Sequence, residues 1–217
     1  MSYLSFLSEH GPTMLLGTVT TVKVLICSTI LYVIISLIFG LMRLSKNPII
    51  QGTATIYIEF FRGTSLLVQL FWFYYVLPFF GVSLEAFFAG VVALGLNFGA
   101  YGAEIVRGGI LAVPKGQWEA SRALGFKSGL ILRKIILPQS IPIIVPPTGN
   151  QFIAMLKDSS LVSVLGIWEL MYLAKTLGQR DFRHMEMLLT AAMIYWGLTI
   201  ILEMIQARIE RKYQQKT

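Results

Sequence analysis

The sequence predicts an all-α integral membrane protein with about five transmembrane helices, forming a single domain over residues 1–217. Three observations predict it. Of the 217 residues 55% are hydrophobic and only 13% are charged, about half the charged share of soluble chains. Mean hydropathy is +0.69, which suits a chain built of long apolar runs. The net charge is +7, yet Lys and Arg gather in short clusters between the apolar runs. That is the positive-inside pattern of membrane proteins, not a basic stripe for nucleic acid. Cys27 is the single cysteine; lying in an apolar run, it is expected to be a packed thiol without an intrachain disulfide. The opening MSYLSFLSEH has no basic n-region, so no cleaved signal peptide is expected.

The first span covers residues 14–42, longer than a bilayer requires, with Lys23 near its start placed to snorkel outward. The second follows EFFRG and covers residues 64–80, and the third covers residues 86–103. The fourth, residues 141–156, is expected to break at Pro142, Pro146 and Pro147. The last is residues 187–205.

Charge sets the parity. Arg43 and Lys46 follow the first span, and Arg107, Lys115, Arg122, Lys127, Arg133 and Lys134 follow the third. Arg208, Arg211, Lys212 and Lys216 close the chain. With all three clusters cytoplasmic the span count is odd, the N-terminus outside and the C-terminus cytoplasmic. The apolar residues 159–173 are then a short outer-side or partly re-entrant helix, not a sixth span. Lys175, Arg180 and Arg183 fall outside, offset by Asp181 and Glu186. Gly95 and Gly99 form a GxxxG, with Gly102 following; such residues permit close helix approach, within the protomer or at a dimer seam.

The loop after the third span, about residues 106–140, is too long for a turn. Its centre, residues 114–125, reads as a short helix opened by Pro114 and ended by Gly125. Glu119 and Ala123 share a face at i,i+4, with Gly116 and Ala120 beside them. A small-sided face with one acid suits close approach by a partner. It has too few bulky apolar anchors for an interfacial helix lying on lipid.

EASRALG, followed by ILPQ from Ile136, resembles the EAA loop of permease subunits of ABC importers. FFRGTSLLVQ at residues 60–69, GAYGAEIVRGGI at residues 99–110 and LKDSSLVSVLGIWEL at residues 156–170 resemble the polar-amino-acid branch of that family. The likeness covers nearly the whole chain. Two positions depart from the pattern. Ser65 stands where this branch commonly has proline, and Ser121 fills the third small position of the EAA motif.

The resemblance implies a type I ABC importer permease in the cell inner membrane. Two permease subunits, by default a homodimer, would pair around a translocation path. Glu119, Ala120, Ala123 and Gly125 would meet a cytoplasmic ATPase dimer, and an extracytoplasmic solute-binding protein would deliver the amino acid. The chain lacks the P-loop pattern GxxxxGKS/T, so ATP is expected on the partner. It is read as no enzyme, with no cofactor, no metal and no nucleic acid of its own.

Ionisable residues within a membrane are costly and point to function by default. Glu59, Arg62, Glu104, Lys157 and Asp158 qualify. Glu59 and Arg62, one turn apart, are read as an intrahelical pair. Asn97, Tyr101 and Glu104 make a polar stripe on one face of the third span, and Asp158 follows the proline-rich one. Glu104, Asp158, Asn97 and Tyr101 are therefore the candidate substrate residues. Interhelical hydrogen bonding by Asn97 and Tyr101, and pairing of Glu104 with Arg107, stand as alternatives.

Two acids favour a basic amino acid (arginine, lysine or histidine); a glutamine- or glutamate-type substrate is the alternative. A more distant alternative, an ion-coupled secondary transporter, predicts an internal repeat, and none is evident. A small channel predicts a repeated pore-lining motif, also absent. A membrane scaffold leaves the EAA loop unexplained.

Overall fold

The structure, a computed structural model, describes residues 3–214, with side chains from residue 9 to residue 213. Lys216 of the terminal basic cluster lies outside the described residues. Among them every regular element is helical. Four helical stretches are long and apolar enough to cross a membrane: Glu9–Met42, Ala86–Leu111, Ser128–Leu165 and His184–Tyr213. A bent pair, Pro48–Gly63 and Leu66–Phe80, turned by 105° at its break, is long and apolar enough to make a fifth when the two halves count as one span.

Helix α1, Tyr3–Met42, begins well before the expected span, and its Cys27 is exposed on the helix surface instead of packed. Asn47 caps α2, Pro48–Gly63, accepting a hydrogen bond from the Ile49 N–H at 2.9 Å, with Pro48 opening the first turn. α3, Leu66–Phe71, continues as a π turn through Val76 and a 3-10 turn through Phe80. The expected second span is thus only the latter half of a broken one. Glu59 and Arg62 do not pair with each other; the Arg62 guanidinium lies over the Tyr101 ring, 5.4 Å from its centroid.

α4, Ala86–Leu111, runs two turns beyond the expected end. Glu104 and Arg107 neutralise one another at 2.7 Å, so both are carried within the helix. α5, Lys115–Ala123, is the loop helix, and α6, Ser128–Ile131, passes through a π turn at Leu132–Ile136 into α7, Leu137–Asp158.

The expected proline break is not there. α7 runs through Pro142, Pro146 and Pro147. Pro138, Pro142 and Pro146 recur every four residues, so their lost N–H bonds fall mostly along one strip and the ladder on the other faces persists. Gln206 of the last helix packs its amide against this segment and donates to the Pro146 carbonyl, 3.4 Å away. The irregularity sits earlier, in the π turn, which relieves the Pro138 ring from the carbonyl four residues back.

Residues 159–173 are not one helix. A 3-10 stretch, Ser159–Leu165, ends at Gly166 with φ 77°, and α8, Leu170–Arg180, follows. Neither is long enough to cross. α9, His184–Gln214, closes the described fold. Near its start Arg180 pairs with Asp181 at 2.9 Å and Arg183 with Glu186 at 3.0 Å. The Arg180 guanidinium holds the Asp181 carboxyl below the usual carboxylate range. These basic residues are therefore offset by acids, as the parity argument requires.

The core forms where α1 lies along α4. A Cβ at Gly95 would press on Leu31, one at Gly99 on Ile35, and one at Gly102 would overlap Ser36 and Tyr32. The GxxxG face is thus spent within the protomer. Lipid gives helices no hydrophobic drive to associate, so dispersion contacts at this short range hold the pair. Gly102→Ala should lower the thermal unfolding midpoint in detergent, by a loss of about 1–3 kcal/mol. Gly108→Ala, where nothing lies within 4 Å, should leave it unchanged or raise it through helix propensity.

Candidate functional site

The break in the second crossing is built by extended backbone. Thr64 has ψ 153° and Ser65 ψ 133°, so the Phe61 carbonyl loses the N–H that a continuous helix would bring. Two side-chain amides replace it. Asn97 Nδ2 and Gln69 Nε2 each donate to the Phe61 carbonyl oxygen at 3.0 Å. Asn97 also donates to Gln69 Oε1 at 3.1 Å, and Gln69 to Thr64 Oγ1 at 2.7 Å. Asn97 and Gln69 are both buried.

Against this latch lies a cavity of about 370 Å³. Its walls include Thr64 and Ser65 at the break, Asn97 and Tyr101 on α4, and Gln151 and Asp158 on α7. Three of the four candidate substrate residues therefore meet in one space. Glu104 is not among the lining residues. It faces Arg107, and Arg43 lies 3.7 Å away on the end of α1. Asp158, half-buried, makes no hydrogen bond or ion pair among the described residues. Gln69 and Gln151 received no role from the sequence, although each is an amide in an apolar run, the available signal.

The second candidate site is the loop helix α5. The loop proper is shorter than the expected 106–140, because α4 reaches Leu111 and the next helix starts at Ser128. Ser121 is buried and Trp118 half-buried, and the indole packs with Val106, Ile110, Val113, Ile131 and Ile136. That inward face fixes α5 to the ends of α4 and α7. Glu119, Ala120, Ala123 and Gly125 are all exposed on the outside. Leu124, which the sequence reading passed over, is 73% exposed beside them.

Gly125 has φ 79°. Its N–H bonds the Arg122 carbonyl at 2.9 Å and the Phe126 N–H bonds the Ser121 carbonyl at 3.2 Å. This is a Schellman closure, which needs a left-handed residue where it turns. Gly125 thus shapes the helix end as well as lying on the exposed face.

Residues 32–215 match the family described as the binding-protein-dependent transport system inner membrane component. The chain belongs to that family. It is 40% identical over 197 residues to the L-cystine transport system permease protein TcyB of Bacillus subtilis, covering 90% of this chain and 84% of the relative. It is 42% identical over 209 residues to the arginine transport system permease protein ArgU of Corynebacterium glutamicum, covering 90% and 66%. Other relatives, from two Rickettsia species, carry glutamine in their names. A chain from the crystal structure of an amino acid ABC transporter with histidines superposes with TM-score 0.91 at 39% identity, over 98% of this chain and 99% of that one. The type I ABC importer permease fold expected from the motifs is the fold observed.

Gly125→Ala should destabilise the last turn of α5 by about 1–2 kcal/mol, the cost of the left-handed conformation for a residue with a Cβ. Faster amide exchange at residues 121–126, with unchanged exchange in α4, checks it.

Proposed function

We propose that this chain is the permease subunit of an ATP-driven importer of polar amino acids, with a preference for basic side chains. The observation that carries this is Asp158, a carboxylate without a partner among the described residues, on the wall of the cavity at the helix break. In a low-dielectric wall an uncompensated acid favours a cationic ligand group. The α-ammonium of any amino acid supplies one cation, and a basic side chain supplies a second. Tyr101, Gln151 and Asn97 add polar atoms around it. Arg62, stacked on Tyr101, offers a cation toward the α-carboxylate. Glu104 is taken up by Arg107 and Arg43, which leaves Asp158 as the acid on the cavity wall. Relatives named for arginine, cystine and glutamine agree on polar amino acids and divide on the side chain.

The loop helix supports the coupling reading. Its inward face is anchored on α4 and α7, and its outward face offers Glu119, Ala120 and Ala123 to a cytoplasmic ATPase dimer. With this loop and the C-terminus cytoplasmic, the N-terminus lies outside. A second permease subunit and an extracytoplasmic solute-binding protein complete the importer, and the chain itself needs no cofactor.

Uptake with the cognate solute-binding protein and ATPase tests the substrate. Wild type should take up arginine, lysine or histidine in preference to glutamine and cystine. Asp158→Asn should weaken this by about 2–5 kcal/mol of binding, the cost of removing one partner from a buried charge pair, with assembly intact. A wild-type preference for glutamine or cystine would sink the basic-substrate reading.

Coupling has its own test. Ala123→Trp and Glu119→Arg should each reduce co-purification of the ATPase and uptake together, while the permease stays folded. Normal uptake by both variants would remove α5 as the docking element.

A further inference from the structure

A cavity of about 670 Å³ opens at the foot of the loop helix, apart from the substrate cavity and the outward face of α5. Leu44, Ile110 and Leu132 line its floor, with the Trp118 indole on one wall. Lys46 and Arg122 also line it. Both are exposed, and neither side chain has an ion-pair or hydrogen-bond partner among the described residues. Leu44 and Lys46 follow the end of α1, and Ile110 stands in the last turn of α4. Two spans leave the membrane at this level, so chain connectivity places the cavity at the membrane–water boundary.

We propose that this cavity binds an anionic phospholipid. Lys46 and Arg122 face its phosphate, and one acyl chain runs over Leu44, Ile110 and Leu132. An apolar floor under two unpaired cations is complementary to a molecule with a charged head and an apolar tail. A soluble anion would leave the floor wet, and an apolar ligand would leave both cations unanswered. An indole at this depth matches the interfacial preference of tryptophan. The lipid would join the α1–α2 turn to the loop helix, two segments linked here through side chains of the same cavity. The proposal needs only the membrane-spanning fold, so its failure would leave the transport and coupling readings standing.

The test uses the full-length chain with Trp118 as the only indole (Trp72→Phe, Trp168→Phe and Trp196→Phe) in phosphatidylcholine vesicles. Brominated phosphatidylglycerol is compared with brominated phosphatidylcholine as a quencher at equal mole fraction. Phosphatidylglycerol should be preferred over phosphatidylcholine at Trp118 about thirtyfold, as expected for two cations facing one headgroup. Lys46→Gln and Arg122→Gln should each cut the preference about fivefold and together abolish it, while Lys46→Arg should retain it. Arg133→Gln with Lys134→Gln, two exposed cations outside the cavity, should leave it unchanged.

Equal quenching by the two lipids would overturn the proposal. So would a preference that survives loss of Lys46 and Arg122, or one that falls equally with Arg133 and Lys134, since that reports general surface charge. Loss of the preference on adding millimolar glycerol phosphate would assign the site to a free phosphate. Its loss on adding the cognate ATPase would assign the cavity to that protein.

Discussion

The amide of Asn97 holds the second crossing in its bent form. A helix broken inside a membrane leaves carbonyls without donors, and hydrocarbon supplies none. At Gly63–Ser65 the orphan is the Phe61 carbonyl, and Asn97 and Gln69 both donate to it at 3.0 Å. Because Asn97 belongs to α4 and Gln69 to α3, the bond network fixes where the two halves of the crossing stand against the central helix. The cavity exists because of that arrangement. Its walls are the extended residues of the break, the polar stretch of α4 and the end of α7. A straight second span would bring its own N–H to Phe61 and leave no recess there.

α4 serves different neighbours on its different faces. Its glycines accept α1 at contact distance, Asn97 holds the break, and Tyr101 turns toward the cavity under Arg62. Farther along, Glu104 gathers Arg107 and Arg43. The last turns pack Val106 and Ile110 into the cluster that seats Trp118 of the loop helix. One rigid element therefore touches the cavity at one level and the loop helix at another. Displacing α5 would load the end of the same helix that shapes the cavity wall.

The features legible in the sequence were those written by backbone chemistry. Pro114 and Gly125 marked the loop helix because a fixed φ starts a helix and a left-handed residue stops one. The apolar runs marked the long spans. What misled were rules calibrated on water. Pro142, Pro146 and Pro147 do not break α7, since the strip of lost bonds leaves the other faces intact. Glu104 and Arg107 do not end α4, because the pair cancels its own charge. The helix Pro48–Gly63 was missed because its Thr, Gln and Gly residues dilute the apolar signal, although Asn47–Pro48 is a plain helix opening. The α1–α4 seam was half legible: GxxxG said that backbones meet closely, not which helix would meet them.

Two acids eleven positions apart show how the site separates from the scaffold. Glu169 received no attention from the sequence, though a lone acid in GIWEL is the kind of residue that a membrane rule flags. It is fully buried and fully answered. The Met171 and Tyr172 N–H groups reach it at 3.0 and 2.7 Å, and Tyr195 donates at 2.8 Å. Burial pushes its carboxyl up from the ordinary value, and these donors pull it back. Its partners come from α8 and α9, with Thr21 of α1 3.3 Å away, so it knots three helices at the end of the fold away from the loop helix. Asp158 has no such set, and it faces the cavity. Buried polar groups in folded proteins find partners. An acid whose partners are all internal is scaffold, whereas one left open on a cavity wall is satisfied by what enters the cavity. By that criterion Glu169 belongs to the fold, whereas the Asp158 carboxylate is left open to the cavity, a distinction that neither residue's type nor its position in an apolar run reveals.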